Sequence, residues 1–184
     1  DRIQLLLAES QLLRDGGRTK EAYELLAGSL AAQPEQPELL YESALLAEKL
    51  GRHEAMEASL RKLIRLKPEH AHAYNALGYS FAERNQRLEE AEQLVLKALQ
   101  LSPDDPFIID SMGWVLYRKG DNQGALTHLQ RAFSIRPDPE ISAHLGEVLW
   151  ALGRRDEAKR IWQEAAKAHP GNEVLAEVIK RFAP

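Results

Sequence analysis

The sequence predicts an all-α fold, a solenoid of five helical hairpins followed by a closing helix, and three observations predict it. Five prolines, Pro34, Pro68, Pro103, Pro137 and Pro170, stand 34, 35, 34 and 33 residues apart, which is a repeat period. Before each of them, small and apolar residues recur at offsets of four and three, the spacing of one helical face. Examples are Met56, Leu60 and Leu63, or Ala91, Val95 and Ala98. Further upstream in the later units a second apolar face carries a glycine in its middle: Gly78, Gly113 and Gly146. A mid-helix glycine costs roughly 1 kcal/mol against alanine, so its recurrence implies a partner helix that approaches closely.

In chain order, the first unit covers about 3–36 and the second 37–70, with Ala22, Leu26 and Ser29 on the second helix of the first unit. The third, 71–105, opens with Tyr74, Leu77, Gly78 and Phe81 on one face. The fourth, 106–138, repeats this with Ile109, Met112, Gly113 and Leu116, then Ala125, Leu129 and Ala132. The fifth, 139–171, has Ser142, Leu145, Gly146 and Leu149, then Ala158, Trp162 and Ala165. Gly17, Gly51, Gly120 and Gly153 mark the hairpin turns of four units, where a left-handed residue ends a helix at little cost. Asp105-Pro106 and Asp138-Pro139 pair an N-cap acid with proline at the first helical position, so each new unit starts as the last one stops. Residues 172–183 place Val174, Leu175, Val178, Ile179 and Phe182 on one face, the pattern of a capping helix that covers the last stacking surface. The whole of 1–184 thus reads as one domain. It opens at Asp1, in phase by Ile3 and with no equivalent cap, as expected of a fragment of a longer array with an apolar N-terminal edge capable of homo-oligomer formation.

Composition sets the outer limits. The chain is 44% hydrophobic and 28% charged, within the range of folded soluble proteins. Its 28 acids and 24 bases are interspersed, with no basic run to follow a phosphate backbone, which argues against nucleic acid as a partner. The absence of Cys excludes disulfides and thiolate chemistry but does not choose a compartment. No apolar run is long enough to span a bilayer, so no membrane contact is expected of this stretch itself.

Chemistry finds no foothold. The six histidines at positions 53, 70, 72, 128, 144 and 169 form no H-E-x-x-H pattern, and His70 and His72 read as solvated residues beside a helix start. No nucleophile elbow or phosphate loop is present, and Glu89-Glu90 and Asp104-Asp105 sit where acids favour a helix dipole. The expectation is a non-enzyme with no catalytic residues, no metal and no cofactor.

The stretches YNALGYSF and EEAEQLVLKALQLSP resemble the tetratricopeptide (TPR) pattern of aromatic, Leu-Gly, aromatic, then Ala, large apolar, Ala and Pro. The resemblance covers about 3–170 and weakens where Glu9-Ser10 and Ser43-Ala44 replace Leu-Gly. It implies a right-handed superhelix whose first helices line a concave groove that binds peptides or partner proteins. Carried over unit by unit, the pattern puts Leu7, Gln11 and Arg14, then Tyr41, Leu45 and Glu48, then Asn75, Tyr79 and Ala82 on the inner stripe. Asp110, Trp114 and Tyr117 follow, then Ala143, Glu147 and Trp150, with His72 and Phe107 one turn earlier in their helices. From these, the expected binding residues are Tyr41, Leu45, Asn75, Tyr79, Asp110, Trp114, Tyr117, Glu147 and Trp150. Tyr79 and Trp114 are assigned to the groove because each directly follows the packing glycine and so points off the core-facing row. Trp150 stays open between groove and core, and Asn75 between a peptide-backbone contact and a plain surface residue. Tyr74, Phe81, Phe133 and Trp162 are assigned to the core. The cations that grip a carboxylate in some members of the family are missing from the stripe.

The stretches FIIDSMGWVLYRKGDNQGAL and AHLGEVLWALGRRDEAKRIWQEA look like the C-terminal repeats of TPR lipoproteins of proteobacterial outer membranes. That resemblance implies a periplasmic adaptor, anchored to the outer membrane in the full-length protein, that binds a carboxyl-terminal processing protease and presents substrates to it. The alternative is a structural scaffold that self-assembles through solenoid edges or its convex face. Weaker first and second units predict fraying there first.

Overall fold

The structure, a computed structural model, describes residues 1–182; position 183, where the closing helix was expected to end, and position 184 lie outside the described residues. All regular structure among the described residues is helical. The elements are α1 (Arg2–Asp15), α2 (Thr19–Ala32), α3 (Pro37–Lys49), α4 (His53–Leu66), α5 (Ala71–Glu83) and α6 (Leu88–Leu101). They continue as α7 (Pro106–Arg118), α8 (Asn122–Ile135), α9 (Pro139–Ala151), α10 (Arg155–Ala168) and α11 (Glu173–Phe182). Consecutive pairs pack as antiparallel hairpins, the odd-numbered helices stack on one another, and α11 lies against α9 and α10. This is the all-α solenoid the repeat period predicts.

Local chemistry sets the ends. Gly17, Gly51, Gly120 and Gly153 all have positive φ, between 70° and 92°. The third hairpin has no glycine at this point, and Asn85 takes the left-handed conformation instead, φ 53°, as the non-glycine residue best suited to it. Asp105 and Asp138 act as N-caps, accepting from the backbone N–H of Phe107 and of Glu140, each at 2.9 Å. Pro106 and Pro139 occupy the first turn behind them. His70, expected to be solvated, instead caps α5: its Nδ1 accepts from the N–H of Ala73 at 3.1 Å.

The mid-helix glycines are explained by their neighbours. A Cβ on Gly78 would lie 2.7 Å from Val95 Cγ2, and one on Gly113 2.7 Å from Leu129 Cγ. On Gly146 it would lie 2.0 Å from the indole nitrogen of Trp162. Where the first two units depart from Leu-Gly they keep a small buried residue: Ser10 and Ala44 occupy the equivalent place. Close packing of the hairpin therefore survives the substitution. Phe81 and Trp162 are buried as expected, whereas Tyr74 and Phe133 are half-buried, Tyr74 because its hydroxyl reaches out to donate to Pro68 O at 2.9 Å.

The core is a chain of clusters rather than one mass. Ala22, Leu26, Leu39 and Leu46 form the first; a larger one extends from Leu40 to Val115; another runs from Ala125 to Val178; and a small one of Ile109, Ala132 and Ile141 lies between these two, packed by Leu99 and Phe133. Tyr23 and Leu30 pack against both of the first two, and Leu116 and Tyr117 against both the second and the third. Arg118 adds a polar tie between hairpins, donating to the C-terminal carbonyls of α5 at Ala82 (2.9 Å), which also accepts from the Asn85 N–H, and at Glu83 (2.6 Å).

Candidate functional site

Residues four apart on a helix share a face, and on the inner helices that face is built from Tyr41 and Leu45, from Asn75, Tyr79 and Glu83, and from Phe107, Asp110, Trp114 and Arg118. Glu140, His144 and Glu147 continue it on α9. Three hollows run along this wall. One, about 230 Å³, lies between Leu7, Tyr41 and His70. The next, about 180 Å³, is lined by Tyr41, Leu45, Asn75, Tyr79, Phe107, Asp110 and Glu140. The last, about 240 Å³, lies between Tyr79, Trp114, Glu140, His144 and Glu147 on one side and Val174, Glu177, Val178 and Arg181 of α11 on the other. Tyr41 is shared by the first two, and Tyr79 and Glu140 by the last two, so the hollows join into one groove. Each is smaller than the roughly 300 Å³ at which small-molecule pockets begin, a size for single side chains of a longer ligand.

Seven of the nine expected binding residues line these hollows, but with unequal access. Tyr41, Leu45, Asn75, Tyr79 and Glu147 are half-buried. Asn75 has its carbonyl Oδ1 buried with no hydrogen-bond partner. Trp114 and Asp110 require correction: they sit in the groove wall, yet only 4% and 5% of their surface is exposed. Trp114 is covered because the ring of His144 stacks on it, centroids 4.1 Å apart. Asp110 is covered because its carboxylate accepts from His144 Nδ1 at 2.9 and 3.0 Å. Tyr117 and Trp150 line none of the three hollows. Tyr117 packs against Trp114 at 5.1 Å. Trp150 packs with Trp162 and Phe182, 5.9 and 5.8 Å away, because α11 folds back over it, which resolves the open choice in favour of packing.

His144 is the residue that sequence reasoning missed. It is buried, bonds Asp110 through Nδ1, and lies 3.3 Å from the hydroxyl of Tyr79 through Nε2. Its neighbours Leu145 and Gly146 hold the family pattern, and nothing in the spacing marks the residue before them. Also missed are Glu83, Arg118 and the α11 residues Glu177 and Arg181, since a capping helix was not expected to contribute to the groove. Both arginines are engaged: Arg118 with α5 carbonyls, Arg181 with Glu147 at 2.8 Å.

The electrostatics follow from this crowding. Burial pushes the Glu147 carboxyl above its usual range against the pull of Arg181. Glu140 is raised too, by desolvation within the concave wall and by the neighbouring charges of Asp110, Asp138 and Glu83, against the pull of His144. Burial also raises the phenols of Tyr41 and Tyr79, moving them further from ionisation. Among the described residues no three His, Asp or Glu side chains come together to hold a metal ion, and no helix is long and apolar enough to cross a membrane.

Known proteins share this architecture. Family models for the tetratricopeptide repeat match residues 37–70, 55–106 and 116–180. A TPR repeat-containing protein of Pseudomonas aeruginosa is 45% identical over 145 residues, 79% of this chain, which spans about a quarter of that protein's length (25%). A protein O-mannosyl-transferase of Drosophila melanogaster is 36% identical over 111 residues, and this chain spans 13% of it. Among solved structures, a thermophilic TPR protein of Thermus thermophilus superposes with TM-score 0.84 at 25% identity, covering 98% of this chain and 96% of that one. MamA of Desulfovibrio magneticus, at 18% identity and TM-score 0.71 over 93% of this chain and 98% of its own, shares the fold alone. With family models matching most of its length and a 45%-identical relative over 79% of it, the chain belongs to the tetratricopeptide-repeat family.

Proposed function

We propose that this TPR solenoid, a scaffold for protein–protein interaction, is the binding module of an adaptor, taking an extended segment of a partner protein along its concave groove. The observation that carries the reading is the continuity of the three hollows, each sized for one side chain and joined through Tyr41, Tyr79 and Glu140. Tyr41, Tyr79 and the 36%-exposed Phe107 supply the amphipathic aromatic surface favoured at binding hot spots. Asn75 lines the middle hollow with an amide side chain, a group that can pair with a peptide backbone. On the resemblance of residues 70–170, the partner we propose is a carboxyl-terminal processing protease, to which the adaptor brings substrates. The setting we propose is the periplasm, with the full-length protein held at the outer membrane.

Titration of the purified chain with such a protease tests this. Asn75→Ala combined with Phe107→Ala is expected to weaken binding about tenfold or more, a loss of ~1.4 kcal/mol or more for the pair, with helicity unchanged. Unaltered binding by that double variant would remove the groove from the interaction.

A second reading has its own observation. Leu5 and Leu12, one helical face of α1, are 71% and 74% exposed, and a homo-oligomer formed over that face would make the chain a self-assembling scaffold. Light scattering distinguishes the two: mass rising with concentration, abolished by Leu5→Glu with Leu12→Glu and indifferent to the groove variants, would favour assembly.

A further inference from the structure

Three consecutive hairpins meet at one buried imidazole. His144 of α9 has 7% of its surface exposed. Its Nδ1 lies 2.9 Å from Asp110 of α7 and its Nε2 3.3 Å from the hydroxyl of Tyr79 of α5, while the ring stacks on Trp114. A charged imidazole has two N–H donors, and both find oxygen acceptors here. When the ring loses its proton, Nδ1–H can stay with Asp110 while Nε2 becomes an acceptor and the Tyr79 hydroxyl turns to donate. The hydrogen bonds survive either way. Only the charged ring, however, neutralises the buried carboxylate of Asp110, and an uncompensated buried charge is costly.

The groups around the ring come from four helices: Tyr79 and Glu83 from α5, Asp110 and Arg118 from α7, Glu140 and Glu147 from α9, and Glu177 and Arg181 from α11. Arg118 is committed to backbone carbonyls and Arg181 to Glu147. The remaining charge near the ring is therefore acidic, which favours its protonated form.

We propose that the Tyr79–His144–Asp110 cluster is a proton-operated latch, holding the third, fourth and fifth hairpins in one stacking arrangement while the ring is charged and loosening it when the proton leaves. The latch rests on contacts within the chain and operates whatever the groove binds. Burial alone would depress the His144 value, but the charge and hydrogen bond of Asp110, with Glu140 and Glu83 adding, outweigh it and leave it raised. A folded-state value above that of the unfolded chain, about 6.5, means that the stabilisation is complete below about pH 6.5. It is withdrawn as pH rises through the raised value.

The test is a pH titration of the isotope-labelled chain by NMR, following the His144 ring alongside amide-exchange protection factors. The ring is expected to titrate above 6.5 in the wild type. Protection in α7 and α9 should fall about tenfold for each unit by which the midpoint exceeds that value, while α1–α4 are unaffected. In Asp110→Asn, burial is left unopposed by its largest counterweight, and the midpoint should drop below 6.5. Should that variant fail to fold, Tyr79→Phe keeps the ion pair and should lower the midpoint by less, leaving it above 6.5. A wild-type ring that titrates at or below 6.5, or that titrates with no change in α7 and α9 protection, overturns the latch.

Discussion

Truncating Trp162 to alanine is expected to destabilise the chain by about 3–5 kcal/mol, the range for removing a fully buried tryptophan. This side chain has no exposed surface and fills the space that Gly146 leaves open. Its indole N–H donates to Ala143 O at 3.2 Å, and its ring packs against Trp150 and Phe182. Its loss would open a cavity between α9, α10 and α11 at once, so the closing helix should detach before the rest unfolds. Urea unfolding followed by circular dichroism and indole fluorescence would measure both steps. A double-mutant cycle sharpens the test. Gly146→Ala in the wild type drives a Cβ into the indole, overpacking of the kind that costs about 1–3 kcal/mol or more, but in Trp162→Ala the same methyl enters vacated space. The second penalty should therefore shrink or change sign; equal penalties in both backgrounds would refute the assignment of Gly146 to close helix approach.

Removing one half of the buried ion pair should cost a similar amount. His144→Leu leaves the Asp110 carboxylate buried without its partner and without the ring that covers Trp114, for which about 3–5 kcal/mol at neutral pH is expected. Adding Asp110→Leu removes the stranded charge, and a large part of the loss should return, because replacing both partners of a buried pair by apolar groups is far milder than replacing one. Chemical denaturation of both single variants and the double variant decides it. If the double variant is as unstable as the sum of the singles, the two side chains are not coupled and the buried pair has no energetic meaning.

The repeat architecture was legible because each of its causes leaves a local trace: a proline where a hairpin stops, a left-handed glycine where it turns, a small residue where two helices touch. The third turn shows how far such traces reach, since Asn85 performs a glycine's role without a glycine's signature. In the groove, sequence reasoning named seven residues that line the hollows and two, Tyr117 and Trp150, that do not, and it could not separate being on the wall from being reachable. Trp114 and Asp110 lie where the pattern put them and are nevertheless covered, because His144, from the next hairpin, lies across them. That contact joins positions 34 residues apart, and nothing in either local stretch records it. Trp150 was likewise ambiguous until the fold of α11 was known. A closing helix announces its apolar face, but not which neighbouring aromatic rings that face will reach.

The serial arrangement of the core bears on how the molecule responds to tension. Its apolar clusters are linked head to tail, with Tyr23 and Leu30 at one joint and Leu116 and Tyr117, reinforced by the Ile109, Ala132 and Ile141 cluster, at the other. A pull applied at the two ends passes through every joint in turn, as through links of a chain, and no element shields another. The joint without such reinforcement, at Tyr23 and Leu30, should yield first and release the leading hairpin while the others hold. An optical-trap record would then show a sawtooth of discrete extensions, each the length of one hairpin, and a single rip of the entire array would contradict it. On the sawtooth outcome the array would lengthen under load by whole hairpins.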